Sequence, residues 1–118
     1  MTEPNKPLEQ MTAQERLDLG MSHYREGRFD ETIKALSSIH REEAEPGTYA
    51  QAQLGLGFIY RDQDKPDQAI KTWSNIRRSD NPETYAQAQL NLGAAYYAQG
   101  NLDDAITACK KVREDNHE

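Results

Sequence analysis

Long apolar runs and cysteines are scarce in this 118-residue chain. No stretch of about 18 apolar residues occurs, so we expect no membrane insertion. The polar N-terminal segment MTEPNKPLEQ does not resemble a secretory signal, because no basic stretch is followed by an apolar one. The single cysteine, Cys109, excludes an intramolecular disulfide and suits a reducing compartment. These absences predict a cytoplasmic protein.

Basic residues are fewer than acidic ones, with 14 Lys and Arg against 20 Asp and Glu, which gives a net charge of -6. Short basic pairs, Arg77-Arg78 and Lys110-Lys111, fall in predicted second helices, with Arg113 following, and are expected to form a small convex cationic strip. Acidic residues interleave with them throughout, so we expect no nucleic-acid partner. A chain of this length is sufficient for one domain with a core of its own.

The chain repeats itself at a spacing of 36 to 37 residues. The segment Thr48–Leu54 recurs as Thr84–Leu90. The matches downstream pair Leu56, Gly57, Tyr60, Asp67, Ala69 and Ile70 with Leu92, Gly93, Tyr96, Asp103, Ala105 and Ile106, and a weaker upstream copy contributes Leu19 and Gly20. Three successive units are therefore predicted.

Each unit has the apolar periodicity of two helices separated by a short turn. The turns are predicted at Gly27-Arg28, at Asp64-Lys65-Pro66 and at Gly100-Asn101. Strand patterns are absent, and residues 1–11 are predicted to be a flexible N-terminal tail. The predicted helices are 13–26, 29–43, 48–63, 66–78, 83–99 and 102–115.

The units resemble the tetratricopeptide repeat, whose pattern is W-x2-L-G-x2-Y, then A-x3-F, then P. Unit two matches at Gln53, Leu56, Gly57, Tyr60, Ala69, Trp73 and Pro82, unit three at Gln89, Leu92, Gly93, Tyr96, Ala105 and Cys109, and unit one at Arg16, Leu19, Gly20, His23, Thr32, Leu36 and Pro46. The resemblance implies an all-α, right-handed superhelical solenoid of about six helices. It places three helix-turn-helix repeats, at about 12–46, 47–82 and 83–115, in a single domain over 12–118.

Small residues recur where this pattern brings two helices together. Glycine costs about 1 kcal/mol in a helix relative to alanine, so Gly20, Gly57 and Gly93 are expected at close helix approaches. Large apolar residues are then expected to fill the space between neighbouring units, namely Trp73, Ile76, Ile106 and Val112. Cys109 occupies the position of Trp73 and is predicted to be a small buried side chain.

Catalytic and metal-binding patterns are missing. The histidines His23, His40 and His117 are far apart in the sequence, and no HExxH pattern occurs. His23 takes the position of Tyr60 and Tyr96, which favours a packing role. We therefore predict no enzyme, no catalytic residues, no metal and no cofactor.

The resemblance implies that the first helix of each repeat lines a concave surface. Equivalent positions in the three first helices then form an apolar groove edged with amides and phenols, which suits an extended peptide or an amphipathic helix. The alternative is that a neighbouring helix or the N-terminal tail covers the leucines. The groove residues are Gln14, Gln51 and Gln87; Leu17, Leu54 and Leu90; Met21, Phe58 and Ala94; and Tyr24, Arg61 and Tyr97.

Chaperone-adaptor members of the family hold a carboxylate with Lys, Arg and Asn on this same face. The corresponding residues here are Leu17, Met21, Gly55, Gln87 and Asn91, of which only Asn91 matches. Without a cation to pair with a carboxylate, the chain is not expected to bind chaperone tails. Asn91 stays among the predicted groove residues.

Two functions of different classes follow from these observations. The first is a non-enzymatic adaptor that binds a protein or peptide partner in the groove. The second is structural self-association, because only residues 113–118 follow Val112 and are too few for a capping helix. A homodimer through the last unit, or through a swapped element, would cover the exposed surface. The chain could equally be one end of a longer repeat protein.

Overall fold

The computed structural model describes residues 6–115, and within them it contains helices and no strands. A 3₁₀ turn at Leu8–Gln10 precedes the first α-helix. The helices pack in sequence-adjacent pairs, and the first helices of successive units also contact one another. The helices are α1 (Ala13–Arg25), α2 (Phe29–Ser37), α3 (Pro46–Asp62), α4 (Pro66–Ser74), α5 (Pro82–Ala98) and α6 (Leu102–Asp115). This arrangement confirms the predicted all-α helical repeat solenoid.

The turns within the units lie where the sequence predicts them. Gly27 and Gly100 have φ angles of 76° and 78°, in the left-handed region where glycine carries no steric penalty. In the middle unit Asp64 adopts the same region with a φ of 61°. Aspartate is one of the few other residue types that visits this conformation routinely. The three turns therefore share one backbone geometry although their sequences differ.

The second helices of units one and two are shorter than predicted. Helices α2 and α4 end at Ser37 and Ser74, whereas the sequence predicted ends at 43 and 78. Ile39 and Ile76 continue the apolar periodicity, but they enter the core from the non-helical connections that follow each helix. The basic pair at 77–78 consequently lies in a connection rather than in a second helix, which corrects its predicted position.

The predicted close approaches at glycine are confirmed by the geometry. A Cβ atom added to Gly57 would lie 2.0 Å from Trp73 Nε1, and one added to Gly20 would lie 2.6 Å from Leu36 Cδ2. Trp73 is only 1% exposed, and its indole Nε1 donates a hydrogen bond to the Leu54 carbonyl over 3.2 Å. Any residue type with a Cβ atom at position 57 would therefore overlap with the indole of Trp73.

The core lies between neighbouring units. Leu36 and Ile39 pack with Leu56 and Ile59 across the first junction. Trp73 and Ile76 pack with Ala88, Leu92 and Ala108 across the second junction, which confirms their predicted burial.

The corresponding residues of unit three do not behave as predicted. Ile106 is 54% exposed, Cys109 is exposed and Val112 is half-buried. The physical reason is that the described chain places no further helix against this side of α6. The predicted buried roles of Ile106 and Cys109 are therefore wrong for this chain as it stands.

An arginine joins the two connections between units. The guanidinium of Arg41, from the α2–α3 connection, pairs with the carboxylate of Asp80 in the α4–α5 connection. Its Nη2 atom also donates to the Asn75 carbonyl over 2.6 Å, and its Cζ atom lies 4.4 Å from the centre of the Tyr49 ring. The Asp80 side chain is almost fully buried, and its second oxygen accepts from the backbone N–H of Arg77. This cluster ties the start of α3 to the start of α5.

Polar contacts surround the start of α1. Thr12 and Glu15 form a capping box, in which each side chain bonds to the other residue's backbone N–H. The backbone N–H of Thr12, and the nearby ammonium of Lys6, lower the pKa of Glu15 below its ordinary value. Arg16 donates to the carbonyls of Leu8 and Ser38, at 2.9 and 2.7 Å. Residues 6–11 of the predicted tail thus contact α1. Residues 1–5 lie outside the described part of the chain. The flexibility of the tail stays a prediction.

We expect Gly57→Ala to lower the free energy of unfolding by about 1–3 kcal/mol, because the added methyl group forces the rigid indole of Trp73 to move. The control is Gly47→Ala, where the nearest atom to the new Cβ is 3.9 Å away. This second variant should keep its stability or gain up to about 1 kcal/mol from the better helix propensity of alanine. Urea unfolding followed by Trp73 emission measures both, and equal losses would contradict the close-approach interpretation.

We expect Arg41→Ala to cost about 1–3 kcal/mol, since it leaves the buried Asp80 carboxylate without its cation. The matched control is Arg28→Ala, which removes an exposed pair with Glu26 at 3.6 Å. Exposed pairs of this kind contribute about 0–1 kcal/mol. Chemical denaturation of the two variants separates these expectations, and a loss confined to Arg28→Ala would refute the role of Arg41.

Candidate protein-binding groove

A concave groove of about 560 Å³ crosses α1 and α3 and reaches the start of α5. The first helices of successive units line it because they pack side by side along the solenoid. Its lining residues are Gln14, Leu17, Asp18, Met21, Arg25, Gln51, Leu54, Gly55, Phe58, Asn81, Glu83, Thr84 and Gln87. The structure therefore brings together seven of the predicted groove residues: Gln14, Leu17, Met21, Gln51, Leu54, Phe58 and Gln87.

The groove has an apolar floor and a polar rim. Leu17 is 4% exposed and lies at the bottom, whereas Leu54 and Phe58 are half-buried and remain open to a ligand. The amides of Gln51 and Gln87 are exposed along the rim. Apolar side chains beside exposed amide groups suit an extended peptide, whose side chains and backbone can both be bound.

Phe58 is held by the core below it. Its ring packs edge-on against Trp73, with the ring centres 5.7 Å apart. On the other side, the guanidinium carbon of Arg61 lies 5.0 Å from the ring centre. The aromatic residue of the groove is therefore positioned by the same tryptophan that joins α3 to α4.

Gln14 makes polar contacts at the far edge of the rim. Its Nε2 atom donates to Asp18 Oδ1 over 3.0 Å, and its Oε1 atom accepts from Thr48 Oγ1 over 3.3 Å. The second bond links α1 to α3. The Gln14 amide is therefore held by contacts within the protein.

The other predicted groove residues lie elsewhere. Tyr24 lines a small separate depression and packs against Phe29, with ring centres 6.0 Å apart. Arg61 is exposed beside the groove and pairs with Asp62 at 3.2 Å. Asn91, which is half-buried, does not line the groove. The remaining predicted residues, Leu90, Ala94 and Tyr97, lie on a separate surface described below.

Sequence reasoning missed several groove residues. Asp18 and Arg25 each follow a predicted helix position by one residue, and a broader helical stripe would have included them. Asn81, Glu83 and Thr84 come from the start of α5, where Asn81 caps the helix by accepting from the Thr84 N–H over 2.9 Å. No sequence pattern indicated that this helix start reaches the groove, because that contact depends on how the units are stacked.

A second surface, which we call the terminal face, lies on the outer side of α5 and α6. It borders a shallow depression of about 730 Å³ whose lining is mainly apolar. Its large apolar side chains are well exposed, with Leu90 at 54% and Tyr97 at 70%. The lining residues are Leu90, Gly93, Ala94, Tyr97, Leu102, Ala105, Ile106, Cys109, Lys110 and Arg113.

Neither of the two histidines in the described part of the chain lines the groove or the terminal face. His23 is half-buried in α1 and His40 is exposed in a connection, while His117 lies outside the described residues. Among the described residues, no group of three or more His, Cys, Asp and Glu is placed to hold a metal ion. In the same part of the chain, no helix combines the length and the apolar character needed to cross a bilayer.

The fold defines a helical repeat protein. A tetratricopeptide repeat family model matches residues 54–117, and the chain belongs to this family. Among solved structures, the chain is similar to one described as the crystal structure of MamA, with a TM-score of 0.74 and 25% identity. That match covers 88% of this chain and 58% of the other, so this chain spans little more than half of its neighbour. No match is found among curated proteins.

Proposed function

We propose that the chain is a non-enzymatic adaptor that binds a peptide or helix of a partner protein in the groove. The observation that carries this proposal is the half-buried pair Leu54 and Phe58, which lines the groove together with the exposed residues Gln51 and Gln87. The apolar side chains anchor the ligand, and the amides bond to its backbone. Membership of the tetratricopeptide repeat family supports a protein partner.

The charges at the groove rim define the preferred ligand further. Asp18 and Glu83 are acidic, and Arg25 is basic, so the rim carries an excess of negative charge. The whole chain has a net charge of -6. A segment with two or three apolar residues and basic flanking residues therefore fits the groove better than an acidic one. The exposed thiol of Cys109 suits a reducing compartment, which supports a cytoplasmic location.

The test compares two leucine variants. Leu54→Glu introduces a charge into the groove, whereas Leu102→Glu introduces the same charge on the terminal face, where the leucine is exposed. Partners are captured from the native cell with a photo-crosslinking residue at position 51, and the crosslinked segment is identified by mass spectrometry. We expect Leu54→Glu to reduce crosslinking at least about tenfold, because an unpaired charge would be desolvated by the ligand.

Circular dichroism and the emission of Trp73 check that both variants stay folded. Crosslinking should persist in Leu102→Glu, and the crosslinked segment should carry apolar residues beside basic ones. Unchanged crosslinking in a folded Leu54→Glu variant would sink the groove proposal. Equally strong crosslinking from a probe placed at the exposed position of Lys71, which does not line the groove, would also contradict the proposal.

A further inference from the structure

The small depression that Tyr24 lines adjoins the floor of the groove. Its volume is about 30 Å³, and three of its lining residues, Met21, Gly55 and Phe58, also line the groove. The other lining residues are Tyr24, Leu36 and Ile59. Leu36 and Ile59 are fully buried and form the base of the depression, whereas the remaining four are half-buried. The depression therefore opens on the side of the groove.

A glycine at position 55 keeps this depression open. A Cβ atom added to Gly55 would lie 3.2 Å from Leu36 Cδ1 and 3.7 Å from Met21 Sδ, so a side chain there would enter the space between them. By the repeat spacing, the counterparts of Gly55 are Asp18 in α1 and Asn91 in α5, and both carry side chains. Only unit two has this gap between the side chains of its first helix.

Helix packing constrains Gly55 less than it constrains the glycines of the repeat pattern. A Cβ atom added to Gly20 or Gly57 would lie 2.6 or 2.0 Å from a core side chain. At Gly55 the nearest atom is 3.2 Å away and belongs to a leucine side chain, so a shift of a few tenths of an ångström would admit an alanine. Glycine destabilises a helix interior relative to alanine. What Gly55 provides in return is an opening in the groove floor.

The size and chemistry of the depression define the group that fits it. A volume of about 30 Å³ holds about one or two groups of the size of a water molecule or a methyl group. The lining is apolar, so a hydroxyl or a charged group would lose its hydrogen bonds there. Leu36 and Ile59 belong to the core between units one and two, and a longer side chain would have to displace them. An alanine or valine side chain meets these conditions.

The charges on either side of the depression give the ligand a direction. Along α1, Asp18 lies one turn before Met21 and Arg25 lies one turn after it, and all three line the groove. Glu83 adds a second acidic group at the start of α5. A basic ligand residue is therefore favoured on the Asp18 side of the depression, and an acidic or neutral one on the Arg25 side.

We propose that the ligand of the groove inserts an alanine or valine side chain into the depression beside Gly55. One helical turn separates this side chain from a basic ligand residue that faces Asp18, which corresponds to about two residues of an extended peptide. Gly55 is then the residue that determines specificity at the centre of the groove. This inference rests on the proposed function, and it names the class of peptide that the groove selects.

Selection from a library of random peptides displayed on phage tests the proposal. The groove follows α1 from Gln14 to Arg25, about 16 Å, so peptides of about ten residues are long enough to fill it. We expect the peptides selected on the full chain to share an alanine or valine, with a lysine or arginine about two residues away. Fluorescence anisotropy of the labelled synthetic peptides then gives their dissociation constants.

Substitutions at the shared position of one selected peptide measure the fit. Leucine or phenylalanine there should raise the dissociation constant at least about tenfold, because the buried base of the depression cannot move aside without loss of packing. Glycine should raise the dissociation constant about fourfold for each methyl group removed, since that group is no longer buried. This series uses the unaltered chain, so its outcome does not depend on how any variant folds.

Gly55→Ala fills the depression from the side of the protein. It should raise the dissociation constant of the selected peptide at least about fourfold and shift the preferred residue to the next smaller one. The control is Gly47→Ala, the same change in the same helix, at a position that lines neither the groove nor the depression. This variant should bind with unchanged affinity. Circular dichroism and Trp73 emission verify the fold of both.

The outcomes separate this inference from the proposed function. Peptides that lose binding to a folded Leu54→Glu variant, yet accept leucine at every position or bind Gly55→Ala as well as the unaltered chain, would overturn the role of Gly55 and leave the groove proposal in place. Failure to select any peptide, or peptides that bind Leu54→Glu unchanged, would contradict the groove proposal, and the role of Gly55 would fall with it.

Discussion

The contact between Gly57 and Trp73 is the constraint on which most of this structure depends. Only a residue without a Cβ atom leaves room for the indole, which joins α3 to α4 and fills the core towards unit three. The same indole supports Phe58 from below and bonds to the Leu54 carbonyl. Both central residues of the groove are therefore held by a core contact, which reduces the conformational freedom that a ligand would have to remove.

The three units use this contact differently along the solenoid. The residue that faces the glycine is Leu36 in unit one, Trp73 in unit two and Cys109 in unit three. The first two are fully buried because another unit packs over them, and the third is exposed. The smaller side chain at this last position borders the apolar depression on the outer side of α5 and α6.

Much of the fold could be predicted from the sequence because it depends on local periodicity and on the spacing between repeats. The turns at Gly27 and Gly100, and the buried positions of Trp73 and Ile76, follow from these two patterns. The ends of α2 and α4 could not be predicted in the same way. Ile39 extends the apolar period beyond α2, yet it reaches the core from an irregular connection. Apolar periodicity indicates that a residue is buried, but it does not indicate the backbone conformation in which that residue is buried.

The groove was less predictable, because equivalent positions in a repeat do not have equivalent surroundings. Leu17, Leu54 and Leu90 occupy the same position in the three first helices. Their exposure nevertheless rises along the solenoid, from 4% at Leu17, through a half-buried Leu54, to 54% at Leu90. A leucine in the first unit becomes part of the floor, the next one remains open to a ligand, and the last one joins the terminal face. Stacking therefore divides the equivalent positions of one repeat pattern between two separate surfaces.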